Sequence, residues 1–215
     1  MHNIIIISSF HKNLGKCNPN ELYKIIEEIQ PGVIFEELCF ETFSMVYADN
    51  SIPNTIEAIA IKNYIRNYSV KHFPVDTYPL DERDLFSGAD KIANRSPEYI
   101  NLWNKQISMI TNHGFDFINS NACYELLDKI SDIEKKVLTE INDIKLSREY
   151  ESERALNNNR ECEMLKNIYD YSRKNDFNIA VFICGVEHRK PLKNKIQEKV
   201  TKEELNINWK FYNDN

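Results

Sequence analysis

The sequence is poor in glycine and carries no excess of basic residues. Only 5 of the 215 residues are glycine, and neither a glycine-rich dinucleotide fingerprint nor a P-loop is present. The 27 lysines and arginines stand against 33 aspartates and glutamates, which gives a formal net charge of −6. Because nucleic-acid binding depends on clustered Lys and Arg at the phosphates, we expect no nucleic-acid partner.

Paired cysteines and long apolar runs are also missing. The five cysteines are widely spaced and form no CxxC pair, which argues against a thiolate zinc knuckle and against a secreted disulfide framework. The apolar run at 4–7 is far shorter than a signal-peptide core or the roughly 20 residues of a membrane span. These absences predict a soluble cytoplasmic protein with no membrane partner.

Strand and helix patterns alternate at the start of the chain. The β-branched run at 3–8 predicts a strand buried on both faces. Asn18 and Pro19 predict the start of a helix, which is expected to end at the Pro-Gly pair 31–32. The run at 33–38 predicts a second buried strand. We expect this strand–helix–strand unit to have parallel strands and a right-handed crossover.

The rest of the chain shows the same alternation around a helical middle. The patterns predict helices at 54–69, 161–174 and 191–200, strands at 72–76, 179–184 and 207–212, and a long amphipathic helix or helical hairpin at 125–156. Gly114 and the asparagine run 157–159 are the obvious interruptions of the helical middle.

These patterns together predict a single α/β domain over residues 1–215. Its mainly parallel sheet is flanked by helices, and a helical insertion or lid occupies about 97–160. The helical middle is also a candidate surface for homodimer formation.

Polar side chains follow several of the predicted strands. His11 follows the first strand, Glu36 and Glu37 end the second, Asp76 follows the third, and His188 follows the strand at 179–184. Ligands of open parallel sheets bind beyond the carboxyl ends of the strands, so we expect these side chains to lie close together. Imidazole and carboxylate groups suit a divalent metal such as Mn, Co, Zn or Fe, or an acid/base pair without metal.

Two short motifs near opposite ends of the chain resemble those of a known family. Ser8-x-x-His11 and Gly185-x-x-His188 are similar to the paired GxxH motifs of the TraB/TIKI family, whose wider relatives are the haem-binding ChaN-like and the erythromycin esterase-like proteins. The first motif has Ser8 where the family has glycine. The matched residues lie mainly in 3–38 and 160–192.

Two further positions extend this resemblance. The segment 31–38, Pro-Gly-Val-Ile-Phe-Glu-Glu-Leu, is similar to the family's "P-D-hydrophobic-E-L" segment, which favours Glu37 over Glu36 as the site residue. Adjacent residues of a strand face opposite sides, so at most one of the two glutamates points into a given site. Arg160 resembles the family's arginine that opens the helix before the last core strand.

The resemblance implies metal-dependent hydrolysis of a peptide or small-molecule substrate. In this scheme a divalent ion with an open position for water is held or flanked by three residues, namely His11, Glu37 and His188. Glu36 or Asp76 would take the proton of the metal-bound water. Arg160 would bind a substrate anion or stabilise the developing oxyanion.

Other relatives imply two alternatives. The esterase-like proteins suggest that a histidine activates water without metal. The ChaN-like proteins suggest a non-catalytic or regulatory module that binds haem or a small molecule in the same cleft. The residues of the sequence leave these alternatives open.

Overall fold

A five-stranded parallel sheet forms the centre of the protein. A computed structural model describes residues 2–77, 85–200 and 207–213, without the side chains of 199 and 200. The strands are β1 (His2–Ser9), β2 (Val33–Glu36), β3 (Lys71–Pro74), β4 (Ile179–Gly185) and β5 (Ile207–Phe211). They are hydrogen-bonded in the order β3-β2-β4-β1-β5, and every pair is parallel. The predicted α/β class is confirmed.

Helices connect the strands and cover the sheet. They are α1 (Pro19–Ile29), α2 (Phe40–Val46), α3 (Ile56–Asn67), α4 (Ala89–Ala93), α5 (Pro97–Ile118), α6 (Asn121–Ile141), α7 (Ile144–Lys174) and α8 (Val186–Val200). Asn18 caps α1 by accepting from the backbone N–H groups of Asn20 and Glu21, as its sequence predicts. Within the described residues, we find no helix with both the length and the apolar character that a bilayer crossing requires.

The sheet has a buried core on each face. Ile7 and Ile34 belong to a core that includes residues of α1 and α3. Phe35 and Phe182 belong to a second core built with residues of α7 and α8. Each of these side chains is at most 2% exposed, and full burial of a side chain of this size stabilises the fold by about 1.5–3 kcal/mol. The alternation of faces along β2 decides which way its last residues point.

The helical middle differs from the prediction at one break. The segment 125–156 is a helical hairpin: Asn142 ends α6 in the left-handed conformation, and Asp143 caps α7. The asparagine run 157–159, however, does not interrupt α7, which continues to Lys174. Asparagine costs a helix interior less than about 0.7 kcal/mol per residue. Packing of the later turns of α7 on the sheet outweighs that cost.

The helix that follows β4 also begins earlier than predicted. Pro191 indicated a first helical position, yet α8 begins at Val186, directly after the strand, and Pro191 lies inside it. Proline lacks the N–H that an interior helical residue donates, but the other contacts of α8 on the sheet keep the helix continuous. His188 therefore lies in the first turn of α8 and is held by a helix.

Gly114 interrupts α5, and its conformation requires glycine. Its φ is +54° and its ψ is −131°, and a Cβ atom there would lie 2.5 Å from the backbone oxygen of Lys16. We expect Gly114→Ala to lower the free energy of unfolding by about 1–3 kcal/mol. The matched control is Gly32→Ala, because a Cβ on Gly32 has its nearest neighbour at 3.8 Å. Urea unfolding of both variants measures the difference, and equal losses would contradict the expectation.

Candidate active site

The predicted site residues gather where β1 and β4 end side by side. The helix after β1, α1, contributes to the core on one face of the sheet, and the helix after β4, α8, contributes to the core on the other. Neighbouring parallel strands whose connections leave toward opposite faces open a crevice at their carboxyl ends, where α/β proteins bind ligands. His11 enters this edge from the loop after β1, and Gly185 and His188 enter it from β4 and α8.

Arg160 is the hub of the buried part of the site. Its Nε and Nη2 donate to Asp76 Oδ2 at 3.0 and 2.7 Å, and Nη2 also donates to Glu37 Oε1 at 2.8 Å. Nη1 donates to Asn157 Oδ1 at 2.9 Å. The side chain is only 4% exposed, so the guanidinium is enclosed between two carboxylates. This arrangement fixes Glu37 and Asp76 relative to each other.

Both ring nitrogens of His188 lie close to carboxylates. Its Nε2 lies 3.1 Å from Glu37 Oε1, and its Nδ1 lies 2.9 Å from Glu161 Oε1. Burial acts to lower the pKa of His188, but the charges of Glu37 and Glu161 outweigh it and raise the pKa to about 10. The raised pKa favours the imidazolium form at neutral pH, with Nδ1 hydrogen-bonded to Glu161 and Nε2 in an ion pair with Glu37.

Glu37 stays ionised in spite of its burial. Burial acts to raise its pKa, but the nearby His188, His11 and Arg160 hold the pKa of this carboxyl well below its usual range. Its second oxygen, Oε2, accepts from the backbone N–H of Gly185 at 2.6 Å. Glu37 is thus a fixed negative charge at the end of the crevice.

His11 forms an acid–imidazole pair with a residue of α3. Its Nδ1 and its backbone nitrogen each lie 3.2 Å from Glu57 Oε1. The backbone of His11 has φ +60°, a conformation that is uncommon outside glycine and that gathers at functional sites. The His11 side chain is 48% exposed and that of Glu57 is 13% exposed, so the imidazole is the part of this pair that solvent reaches.

The other ring nitrogen of His11 points along the sheet edge. A Cβ on Gly185 would lie 2.7 Å from His11 Nε2 and 3.5 Å from Glu37 Oε2. Glycine at 185 therefore makes room for the imidazole beside Glu37. Burial acts to lower the pKa of His11, but its hydrogen bond to Glu57 and the charges of Glu57 and Glu37 raise the pKa to about 9.

Glu36 is the one predicted site residue that the structure does not bring to this edge. Residues alternate between faces along β2, so Glu36 points to the face opposite Glu37. One of its oxygens accepts from the Tyr47 hydroxyl at 2.6 Å, and the other lies 2.8 Å from His72 Nδ1. Asp76 is at the edge, but Arg160 occupies its carboxylate.

Ser8, which stands where the resembled family has glycine, is accommodated in the strand. Its backbone N–H donates to Asn119 Oδ1 at 2.8 Å, and its carbonyl accepts from Asn119 Nδ2 at 3.1 Å. Arg189, buried beside this pair, donates to the same Asn119 oxygen at 2.7 Å. Ser8 lies within the regular pairing of β1 with β4. No left-handed conformation is needed there, and a glycine is not required.

Two site residues escaped the sequence analysis. Glu57 lies in the first turn of α3 after the cap Thr55, and an acidic residue in a first helical turn ordinarily indicates only helix stabilisation. Glu161 follows Arg160 directly, and this adjacency is the one feature of the sequence that could have indicated a role in the site. Both gain their role from partners more than 25 residues away in the sequence.

Two of the three residues that the resemblance assigns to a divalent ion, Glu37 and His188, are engaged with protein groups in this structure. His188 directs Nε2 at Glu37, whose oxygens already accept from Arg160 and Gly185. A metal-bound histidine must offer a lone pair, whereas both nitrogens of His188 already face carboxylates. Among the described residues, no group of three or more His, Cys, Asp or Glu side chains is arranged to hold a metal. A divalent metal stays a prediction from the sequence, and we derive no step through it.

Comparison with known proteins adds no relative to this description. No protein-family model, no curated protein and no solved structure matches the chain. The resemblance to the TraB/TIKI family stays a prediction, and the geometry at the ends of β1 and β4 is the ground on which a function can be argued.

Proposed function

We propose that the protein is a hydrolase of an ester, peptide or related bond, in which His11 accepts the proton of the attacking water without a metal. The observation that carries the proposal is the Glu57–His11 pair. Nδ1 of His11 is held by a carboxylate, and Nε2 is directed along the sheet edge beside Glu37. An imidazole oriented in this way by a carboxylate is the arrangement of a general base.

The proposed reaction proceeds through one proton carrier. Water attacks the carbonyl carbon of the substrate while its proton passes to His11 Nε2. Glu57 and Glu37 stabilise the resulting imidazolium. The bond to the leaving oxygen or nitrogen then breaks, and His11 returns the proton to that atom. Arg160 holds Glu37 in place, and neither Glu36 nor Asp76 is needed as a proton acceptor.

A chelator experiment distinguishes this scheme from the metal-dependent one. We expect the purified protein to hydrolyse members of a panel of p-nitrophenyl esters and short peptides at rates that EDTA treatment leaves unchanged, because no step passes through a metal. The measurement is the initial rate before and after EDTA, and after addition of Mn²⁺ or Co²⁺. Rates that vanish with EDTA and return with either ion would contradict the proposal and support the metal site. Haem binding without turnover would support the ligand-binding alternative.

The proposal also predicts a pH dependence. Only neutral His11 can accept a proton, so kcat/KM should rise with pH through a midpoint near the pKa of about 9 and level off above it. Removing the charge of Glu57 lowers the pKa of His11, so Glu57→Gln should move the midpoint to lower pH. Glu21→Gln is the matched control, because Glu21 is paired with Lys24 on the surface. A midpoint that Glu57→Gln leaves in place would contradict the role of the pair.

A further inference from the structure

We infer that Glu161 and Lys195 are positioning residues, which orient the His188 ring so that it holds Glu37 beside His11. The inference rests on the proposed hydrolytic function, because the reason to fix Glu37 is the imidazolium that forms on His11. Neither residue is among the site residues that the sequence predicts. Neither lies at the solvent-facing edge where a substrate would contact His11.

A continuous series of polar contacts leads from Lys195 through Glu161 and His188 to Glu37. Lys195 Nζ lies 2.7 Å from Glu161 Oε2, and Glu161 Oε1 lies 2.9 Å from His188 Nδ1. On the other side of the ring, His188 Nε2 lies 3.1 Å from Glu37 Oε1. The two contacts of Glu161 are hydrogen bonds between charged groups, which are stronger than neutral ones, and the contact of His188 with Glu37 is an ion pair.

Two helices supply Lys195, Glu161 and His188, and the packing of these helices sets the geometry of their contacts. Lys195 follows His188 by seven residues on α8, which is about two helical turns, so both side chains lie on the same face of the helix. Glu161 reaches them from α7. It is 3% exposed, and its two oxygens are shared between the two cations. Glu161 thereby joins α7 to the first turns of α8.

Orientation of the His188 ring matters because its two nitrogens are not equivalent in position. Glu161 accepts at Nδ1, so a rotation of the ring would break that contact and would also turn Nε2 away from Glu37. Glu37 would keep Arg160 and the backbone N–H of Gly185 but lose its ion pair with His188 at Oε1. Lys195 contributes by balancing the charge of Glu161 and by holding its other oxygen.

The test combines spectroscopy with kinetics on the full chain. In wild-type protein we expect a downfield proton NMR signal from the His188 Nδ1–H, assigned by its loss in His188→Gln. Glu161→Gln should move that signal upfield or remove it, because one amide oxygen cannot serve both cations. It should also lower kcat on a p-nitrophenyl ester by about 10-fold to 100-fold with KM unchanged, since a misplaced group slows the reaction without weakening binding.

Variants at Lys195 keep the inference falsifiable if Glu161→Gln does not fold. Lys195→Met should lower kcat in the same direction, and Lys195→Arg should restore it. Lys190→Met is the matched control, because Lys190 lies on α8 but pairs with Asp128 at the surface. Folded Glu161→Gln or Lys195→Met protein with wild-type kcat and an unchanged Nδ1–H signal would overturn the inference. The proposed function fails separately, if His11 variants keep wild-type rates.

Discussion

Replacing His11 by asparagine is expected to lower kcat/KM by about 10²-fold to 10⁴-fold, the contribution of a positioned general base. Asparagine removes the basic nitrogen but tolerates the left-handed backbone that His11 adopts at φ +60°. The variant should therefore fold normally. The measurement is kcat/KM on the best ester or peptide of the panel, together with the thermal unfolding midpoint.

The matched control for this variant is His113→Asn. His113 is an exposed residue of α5, so its replacement should leave kcat/KM at the wild-type value. If His11→Asn protein is folded and hydrolyses substrate at the wild-type rate, His11 is not the base and the proposed mechanism fails. If His11→Asn protein unfolds instead, the pH profile of Glu57→Gln tests whether His11 is the base.

Replacing Arg160 by methionine is expected to lower the free energy of unfolding by about 3–5 kcal/mol, the cost of leaving buried charges without their partner. Glu37 and Asp76 have side chains that are 9% and 4% exposed, and each is paired with the guanidinium. Methionine keeps much of the side-chain volume, so the loss reports the charge more than a cavity. Urea unfolding at neutral pH measures it.

Loss of a surface ion pair is the matched control for the loss of stability in Arg160→Met. Lys24 and Glu21 are 2.7 Å apart on the exposed side of α1, and loss of such a pair costs at most about 1 kcal/mol. We expect Lys24→Met to stay within that limit. A loss in Arg160→Met no larger than in Lys24→Met would show that the two carboxylates are solvated or paired without Arg160, against the arrangement described here.

Local patterns in the sequence were sufficient to predict the parallel sheet and the place in the fold of most candidate site residues. β-Branched runs and helix caps depend on near neighbours, so β1, β4 and α1 could be predicted within a residue or two. The rule that ligands bind at the carboxyl ends of parallel strands then placed His11, Glu37 and His188 together. The structure brings all three to the junction of β1 and β4.

The remaining features depend on contacts between distant segments. Nothing near Glu57 indicates that it meets His11, because α3 must first pack against α1 and so reach the loop after β1. Glu36 illustrates the converse: its adjacency to Glu37 suggested a shared site, and the alternation of the strand separates them. The continuity of α7 through the asparagine run is likewise a result of packing, since local propensity alone favours an interruption there.

The unbroken course of α7 sets a rule for how the helical middle can change in length. One helix of 31 residues carries both the second arm of the α6–α7 hairpin and, near its middle, Arg160. A single inserted residue between them would advance the hairpin by about 100° around the helix axis, while Arg160 stayed locked to its carboxylates. Insertions in this part of α7 therefore keep the orientation of the hairpin only when they add a nearly whole number of helical turns. Insertions in the α6–α7 turn at Asn142 can have other lengths.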